Sequence, residues 1–97
     1  MKAVFITYDQ AYNEEIVDIL TRNGQRGFTR WTDVHGTGGI DGEPRLGSHA
    51  WPALNHAILT VVPDDKVDAI LKDLKAKDEE AIALGLRAFV WNIETNY

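Results

Sequence analysis

Four apolar runs and two stretches of helical periodicity divide this chain. Residues 2–8, KAVFITY, are β-branched and aromatic with little alternation, the pattern of a strand buried on both faces. A helix follows, with Ile16, Val17, Ile19 and Leu20 forming one apolar side. Asn13 is placed to cap it, and Glu14 and Glu15 put negative charge at the positive helix end. Tyr12 and Val17 have the spacing of a hydrophobic staple. Asn23-Gly24 ends the helix, because both residues tolerate a left-handed cap. Residues 26–35, RGFTRWTDVH, predict a second strand, and residues 55–62, NHAILTVV, a third that stops at Pro63. Asp64 or Asp65 caps a second helix, in which Val67, Ile70, Leu71 and Leu74 recur at i, i+3, i+4 and i+7. In KAKDEE that periodicity is lost, so the helix ends there or runs on as a solvated arm. Gly85 is a breaker or cap before a fourth strand, residues 86–93, LRAFVWNI.

The order β-α-β-β-α-β predicts an α+β, ferredoxin-like sandwich: a four-stranded antiparallel sheet with two helices on one face. The right-handed crossover rule leaves few alternatives. Its other sheet face would be bare. Ala3, Val4, Phe5, Ile6, Phe28, Ile58, Val61, Phe89 and Trp91 cannot all face one helical layer, so a large apolar patch would meet water. A symmetric oligomer that packs sheet faces together resolves this, and self-association is expected.

Composition narrows the partners. The 97 residues fit a single domain, 1–97, and 44% hydrophobic content is enough for a core. The net charge is −5 with no basic patch, which argues against nucleic acid as a partner. Cysteine is absent, which removes disulfides, thiolate metal sites and cysteine nucleophiles and fits a cytoplasmic protein. The N-terminus lacks a signal-peptide pattern, and no stretch approaches the roughly 20 apolar residues of a membrane span. Contact with a membrane is therefore expected through a partner, with no direct insertion.

Candidate chemistry collects in residues 32–56, from the end of the second strand to the start of the third. All three histidines, His35, His49 and His56, lie there. Imidazole suits copper, zinc and nickel, and Asp33 and Glu43 could add carboxylates. Their spacing matches no compact ligand motif, and surface or hydrogen-bonded histidines are the alternative. Gly36, Gly38 and Gly39 could form an anion nest, with Arg45 or Arg87 pairing the charge. The alternative is a hinge for a mobile loop. Trp51-Pro52 could be a docking knob, or it could pack within the assembly. Thr29, Thr32 and Ser48 lack a histidine–acid pairing, so an enzyme is not expected.

Two stretches resemble the PII signalling proteins. NGQRGFTRWTDVHGTGG is similar to their second-strand signature, and ILTVVPDDKVDAIL to their joint between strand and second helix. The resemblance spans most of the chain in the same order. It implies a homotrimer with effector clefts between subunits and a loop after the second strand, the T-loop, here about residues 37–51. It also implies an adenine nucleotide (ATP or ADP) as effector. Gly27, Phe28, Thr29, Gly36, Gly38 and Gly39 of one subunit would meet it, with Arg87 of another. Glu43, Arg45 and Trp51 would dock on a partner, a membrane transporter or an enzyme.

Several positions depart from the nitrogen-sensing members. Gly39 stands where those carry an arginine, and Ile40 follows where they have a glutamine. EEAIALGLRAF replaces their Gly-Asp-Gly-Lys phosphate loop. The loop has no tyrosine for modification, and no arginine pair follows the last strand. The chain is thus PII-like and divergent. A second resemblance is to CutA, a trimeric relative of the same architecture linked to divalent metals. It rests on Trp31, Trp51 and Trp91 and implies metal tolerance or efflux through the histidines.

Overall fold

The computed structural model describes residues 1–38, 43–81 and 83–97. Strand β1 (Lys2–Asp9) leads through a short 3-10 turn into helix α1 (Asn13–Arg22). Strand β2 (Thr29–Val34) follows, and then two short strands, β3 (Gly36–Thr37) and β4 (Pro44–Arg45). Strand β5 (Asn55–Val62), a second 3-10 turn, helix α2 (Val67–Glu80) and strand β6 (Arg87–Asn92) complete the chain. The main sheet has the order β2-β5-β1-β6, and β3 pairs with β4 in a second, two-stranded sheet. Neighbours in the main sheet are antiparallel. This is the expected ferredoxin-like α+β fold.

Strand alternation separates two faces. Val4, Ile6 and Tyr8 of β1 and Ile58 and Val62 of β5 pack under Ile16, Ile19 and Leu20 of α1 and Ile70 and Leu74 of α2. Each fully buried aliphatic side chain of this set stabilises the fold by roughly 1.5–3 kcal/mol. Ala3, Phe5 and Thr7 point the other way, as do their register partners Trp91, Phe89 and Arg87 on β6. Trp31 of β2 pairs with Ala57 on that same face. No helix covers it: Trp31, Phe89 and Trp91 are 47%, 57% and 49% exposed. The apolar surplus in the sequence is therefore an open sheet face.

Several boundaries differ from the expected ones. Asn13 does not cap α1, whose N-cap position is Tyr12 without a side-chain cap; Asp9 caps the turn before it. Its Oδ1 accepts the Ala11 N–H at 2.9 Å, starting the 3-10 turn Gln10–Tyr12. Asn13 lies inside α1, and its side-chain oxygen accepts the Tyr8 hydroxyl. Neither Asp64 nor Asp65 caps α2. Both sit in the turn Asp64–Lys66, and Asp64 pairs with the Met1 ammonium at 2.8 Å. The hydrogen bond and charge of that ammonium hold the Asp64 carboxyl below its usual range. Helix α2 continues through KAKDEE to Glu80. Polar contacts hold it there: Asp78 Oδ1 accepts the Leu86 N–H at 3.1 Å.

At the other end of α1 the expected cap is present, with Gly24 at φ +73°. Strand β2 starts later than residue 26. The segment before it is held by side chains: Thr60 Oγ1 and Gln25 Nε2 both donate to the Gly27 carbonyl. The strand ends in an irregularity, where its register with β5 shifts between Trp31 and Val34. Asp33 adopts φ +57° there. A bulge of this kind bends a strand and re-aims the residues beyond it.

Candidate functional site

The bend after Asp33 carries residues 34–38 over one end of the open sheet face. There the chain builds a cleft of about 1050 Å³. This is at the upper end of the range for small-molecule pockets. Its floor is Phe5, Thr7 and Asp9 of β1 with Asn55 and Ala57 of β5. Its walls are Val34–Gly38, Glu43–Arg45 with Ala53, and Ala83, Gly85 and Arg87 from the approach to β6. Phe5 belongs both to the floor and to the open face, so the two surfaces are continuous.

Arg45 organises the cleft. Its Nε lies 3.4 Å from Asp9 Oδ2, with both side chains nearly buried. Its Nη2 donates to the Ala83 carbonyl at 2.8 Å. One side chain thus ties β4 to the end of β1 and to the segment before β6. Gly85 has φ +58°, and a Cβ there would meet the guanidinium at 2.6 Å. Gly36 allows a second close approach, since its Cβ would sit 3.2 Å from Asn55 Nδ2. The Asn55 Oδ1 is buried with no hydrogen-bond partner among the described residues. Arg87 also lines the cleft and donates through Nη1 to the Leu86 carbonyl at 2.8 Å. Two guanidiniums, exposed glycine backbone and an apolar floor suit a ligand with an anionic group and a flat apolar part.

The structure sorts the expected site residues. Of the effector set, Gly36, Gly38 and Arg87 come together in the cleft of one chain. Gly27, Phe28 and Thr29 do not join them, because they stand at the opposite end of β2. Phe28 instead lies beside Arg30, whose guanidinium is 6.0 Å from the ring centroid. Gly39 lies outside the described residues. Of the docking set, Trp51 is exposed in a turn in which the Ser48 N–H donates to the Trp51 carbonyl at 3.0 Å. Glu43 lines the cleft, and Arg45 turns inward instead of outward toward a partner.

The histidines do not converge within the chain. His35 lines the cleft, and His49 is exposed in the turn before Trp51. His56 lies on the helix-covered face with its ring edge-on to Tyr8, centroids 6.0 Å apart. Among the described residues no group of three or more metal-ligating side chains forms, so one chain does not build the expected metal site. Burial pushes the Tyr8 phenol up to about 12, against an opposing effect of the Arg30 charge.

Sequence reasoning missed Asp9, Asn55 and Gly85. Asp9 and Asn55 are register partners at one end of the β1–β5 pair. A polar residue closing each of two apolar strands was the available signal.

A ferredoxin-like sheet with a ligand-sized cleft beneath the hairpin after its second strand defines the class. The family model for nitrogen regulatory protein P-II matches residues 1–97, and the chain belongs to that family. Among solved structures it is similar to CPII, a PII-like protein from Thiomonas intermedia K12, bound to ADP and bicarbonate. The identity is 25% and the TM-score 0.78, over 95% of this chain and 84% of that one. A CPII structure with ADP, AMP and acetate matches at 26% identity and TM-score 0.70, over 99% and 88%. A PII-like protein from Thermus thermophilus, proposed to act in signalling, matches at 25% identity and TM-score 0.66, over 95% and 85%. Comparison with curated protein sequences finds no significant match. Among the described residues no helix is long and apolar enough to cross a membrane.

Proposed function

We infer that this chain is a PII-like signal-transduction protein that binds an adenine nucleotide in the cleft and acts through the segment at about residues 37–51. The observation that carries this is the union of Gly36, Gly38, Arg45 and Arg87 around one cleft. Nucleotide binding by CPII, a structural relative, supports the same ligand class. The phosphates would meet the arginines and glycine backbone, and the base would lie toward the apolar floor. In this reading three copies bury their open sheet faces against one another. Each cleft, continuous with that face, then lies at a subunit boundary. Gly27, Phe28 and Thr29 would reach a ligand only from a neighbouring copy.

The protein acts by binding rather than catalysis. Nucleotide shifts the balance between states of the 37–51 segment, which must differ in affinity for the ligand. The exposed Trp51 is the anchor that meets a partner, such as a membrane transporter, from the cytoplasm. Calorimetric titration with ADP, AMP and ATP, alongside light-scattering mass, tests the reading. The expected result is saturable nucleotide binding to a trimer. Absence of binding by all three nucleotides rejects the ligand class, and a monomeric mass rejects the assembly.

A further inference from the structure

Asp9 and Arg45 face each other inside the cleft through a single long contact of 3.4 Å. A guanidinium fork matches two oxygens of one anion, so this single contact through Nε leaves Arg45 far from its best partner. Asp9 is fixed independently by the Ala11 N–H on its other oxygen. Its carboxylate therefore stands where an anionic ligand would meet Arg45, and its charge repels that ligand. The surroundings bind both residues to the segment after β4. Gln10, next to Asp9, donates its N–H to the Leu54 carbonyl at 3.0 Å, and Gly47 donates to Ala53 at 3.2 Å. The segment 46–54 is thus anchored at one end by Arg45 and at the other beside Asp9.

We propose that Asp9 is an internal competitor for the anion the cleft takes: a phosphate group of the ligand draws Arg45 from Asp9, and the segment 46–54 is released with it. Asp9 sets the affinity, and Arg45 is the positioning residue that connects occupancy to the segment. The proposal rests on the reading that the cleft takes a phosphate-bearing effector, and it adds the device by which occupancy is passed on.

Asp9→Asn keeps the Oδ1 acceptor for Ala11 and removes the charge. The full chain and this variant are titrated with ADP and, separately, with inorganic pyrophosphate, while backbone hydrogen exchange is followed at 46–54. The variant is expected to bind pyrophosphate roughly tenfold more tightly, because a like charge has left a half-dry site. Exchange at 46–54 rises when pyrophosphate binds the unaltered chain, and it is already raised in ligand-free Asp9→Asn. In Arg45→Ala, pyrophosphate no longer changes it. Equal or weaker binding by folded Asp9→Asn overturns the competitor role. Unchanged exchange on saturation of the unaltered chain overturns the release. If Asp9→Asn does not fold, Arg45→Lys carries the test, since it keeps the charge without the fork. The pyrophosphate-induced exchange should fall, and an undiminished response overturns the proposal. Pyrophosphate binding without ADP binding removes the nucleotide reading and leaves the competitor. ADP binding with silent exchange does the reverse, and failure of both ligands to bind removes both.

Discussion

A Cβ on Gly85 would lie 2.6 Å from Nη1 of Arg45, so the backbone at residue 85 is shaped to admit a side chain from the far side of the cleft. Gly85→Ala adds strain at φ +58° to that clash. The expected loss is about 1–3 kcal/mol, from left-handed strain and a displaced, nearly buried ion pair. Urea unfolding measures it. In an Arg45→Ala background the additional loss shrinks toward the strain alone; an undiminished loss there would mean that the contact is unimportant.

Tyr8 gives a pH signature. Burial favours the neutral phenol, so the folded chain keeps its proton to about 12 while the ordinary value is 10.0. The folded state binds more protons across that window. The stabilisation is therefore full below about 10 and lost as pH rises through about 12. Its size is roughly 2–3 kcal/mol. Tyr8→Phe should remove this alkaline decline in stability, together with the tyrosinate absorbance that develops near 12. It should also cost about 1 kcal/mol at neutral pH for the lost hydrogen bond to Asn13. Alkaline denaturation curves that coincide for the two proteins would refute the assignment.

Thr60 is a buried junction. Its hydroxyl donates to the Gly27 carbonyl and accepts from Gln25 Nε2 at 2.8 Å. Thr60→Val keeps the shape and breaks both bonds. The expected cost is about 1–2 kcal/mol, because the Gly27 carbonyl loses a donor and Gln25 Nε2 an acceptor. Thermal unfolding reports it, and crosspeaks of residues 25–29 should shift while those of α2 do not. A cost below about 0.5 kcal/mol would show that the other bonds of Gln25 suffice.

The open face predicts an assembly. Phe89, on the edge strand β6, lies opposite Phe5 and is 57% exposed. Phe89→Glu would bury an unpaired charge in any face-to-face packing, at a cost of several kcal/mol. The variant should sediment as a monomer at micromolar concentration with its helix content unchanged. Identical mass for variant and parent would exclude this face as the contact.

Much of the scaffold was legible because its cause is local. Strands β1, β5 and β6 and helix α1 follow from apolar runs bounded by Asn23-Gly24, Pro63 and Gly85. Longer-range causes were hidden. The tail of α2 has no apolar stripe because Asp78 holds the Leu86 N–H beyond the helix, and Asp73 accepts from Asn23 at the end of α1. Asp33 in a left-handed conformation left no mark in the pattern, since aspartate tolerates that region as an isolated residue. Of the glycine-rich segment, Gly36 and Gly38 line the cleft. Arg45 had two readings, as a partner for an anion and as a docking residue; its pairing with Asp9 turns it inward, which a charged residue in a glycine-rich loop does not announce. Gly27, Phe28 and Thr29 came from family resemblance, and a single chain does not bring them to Gly36.

The strand order β2-β5-β1-β6 also governs when this chain can fold. Strand β1 is made before both of its register partners, residues 55–62 and 87–92. Pairing at such separation carries a loop-closure cost before any contact repays it. Synthesis must pass residue 92 before β1 has both neighbours. Until then Val4, Ile6 and Tyr8 have no finished core to enter. The nascent chain should therefore stay protease-sensitive until β6 is made and gain protection in one step, and a stop anywhere before β6 would release an apolar strand with one edge unpaired.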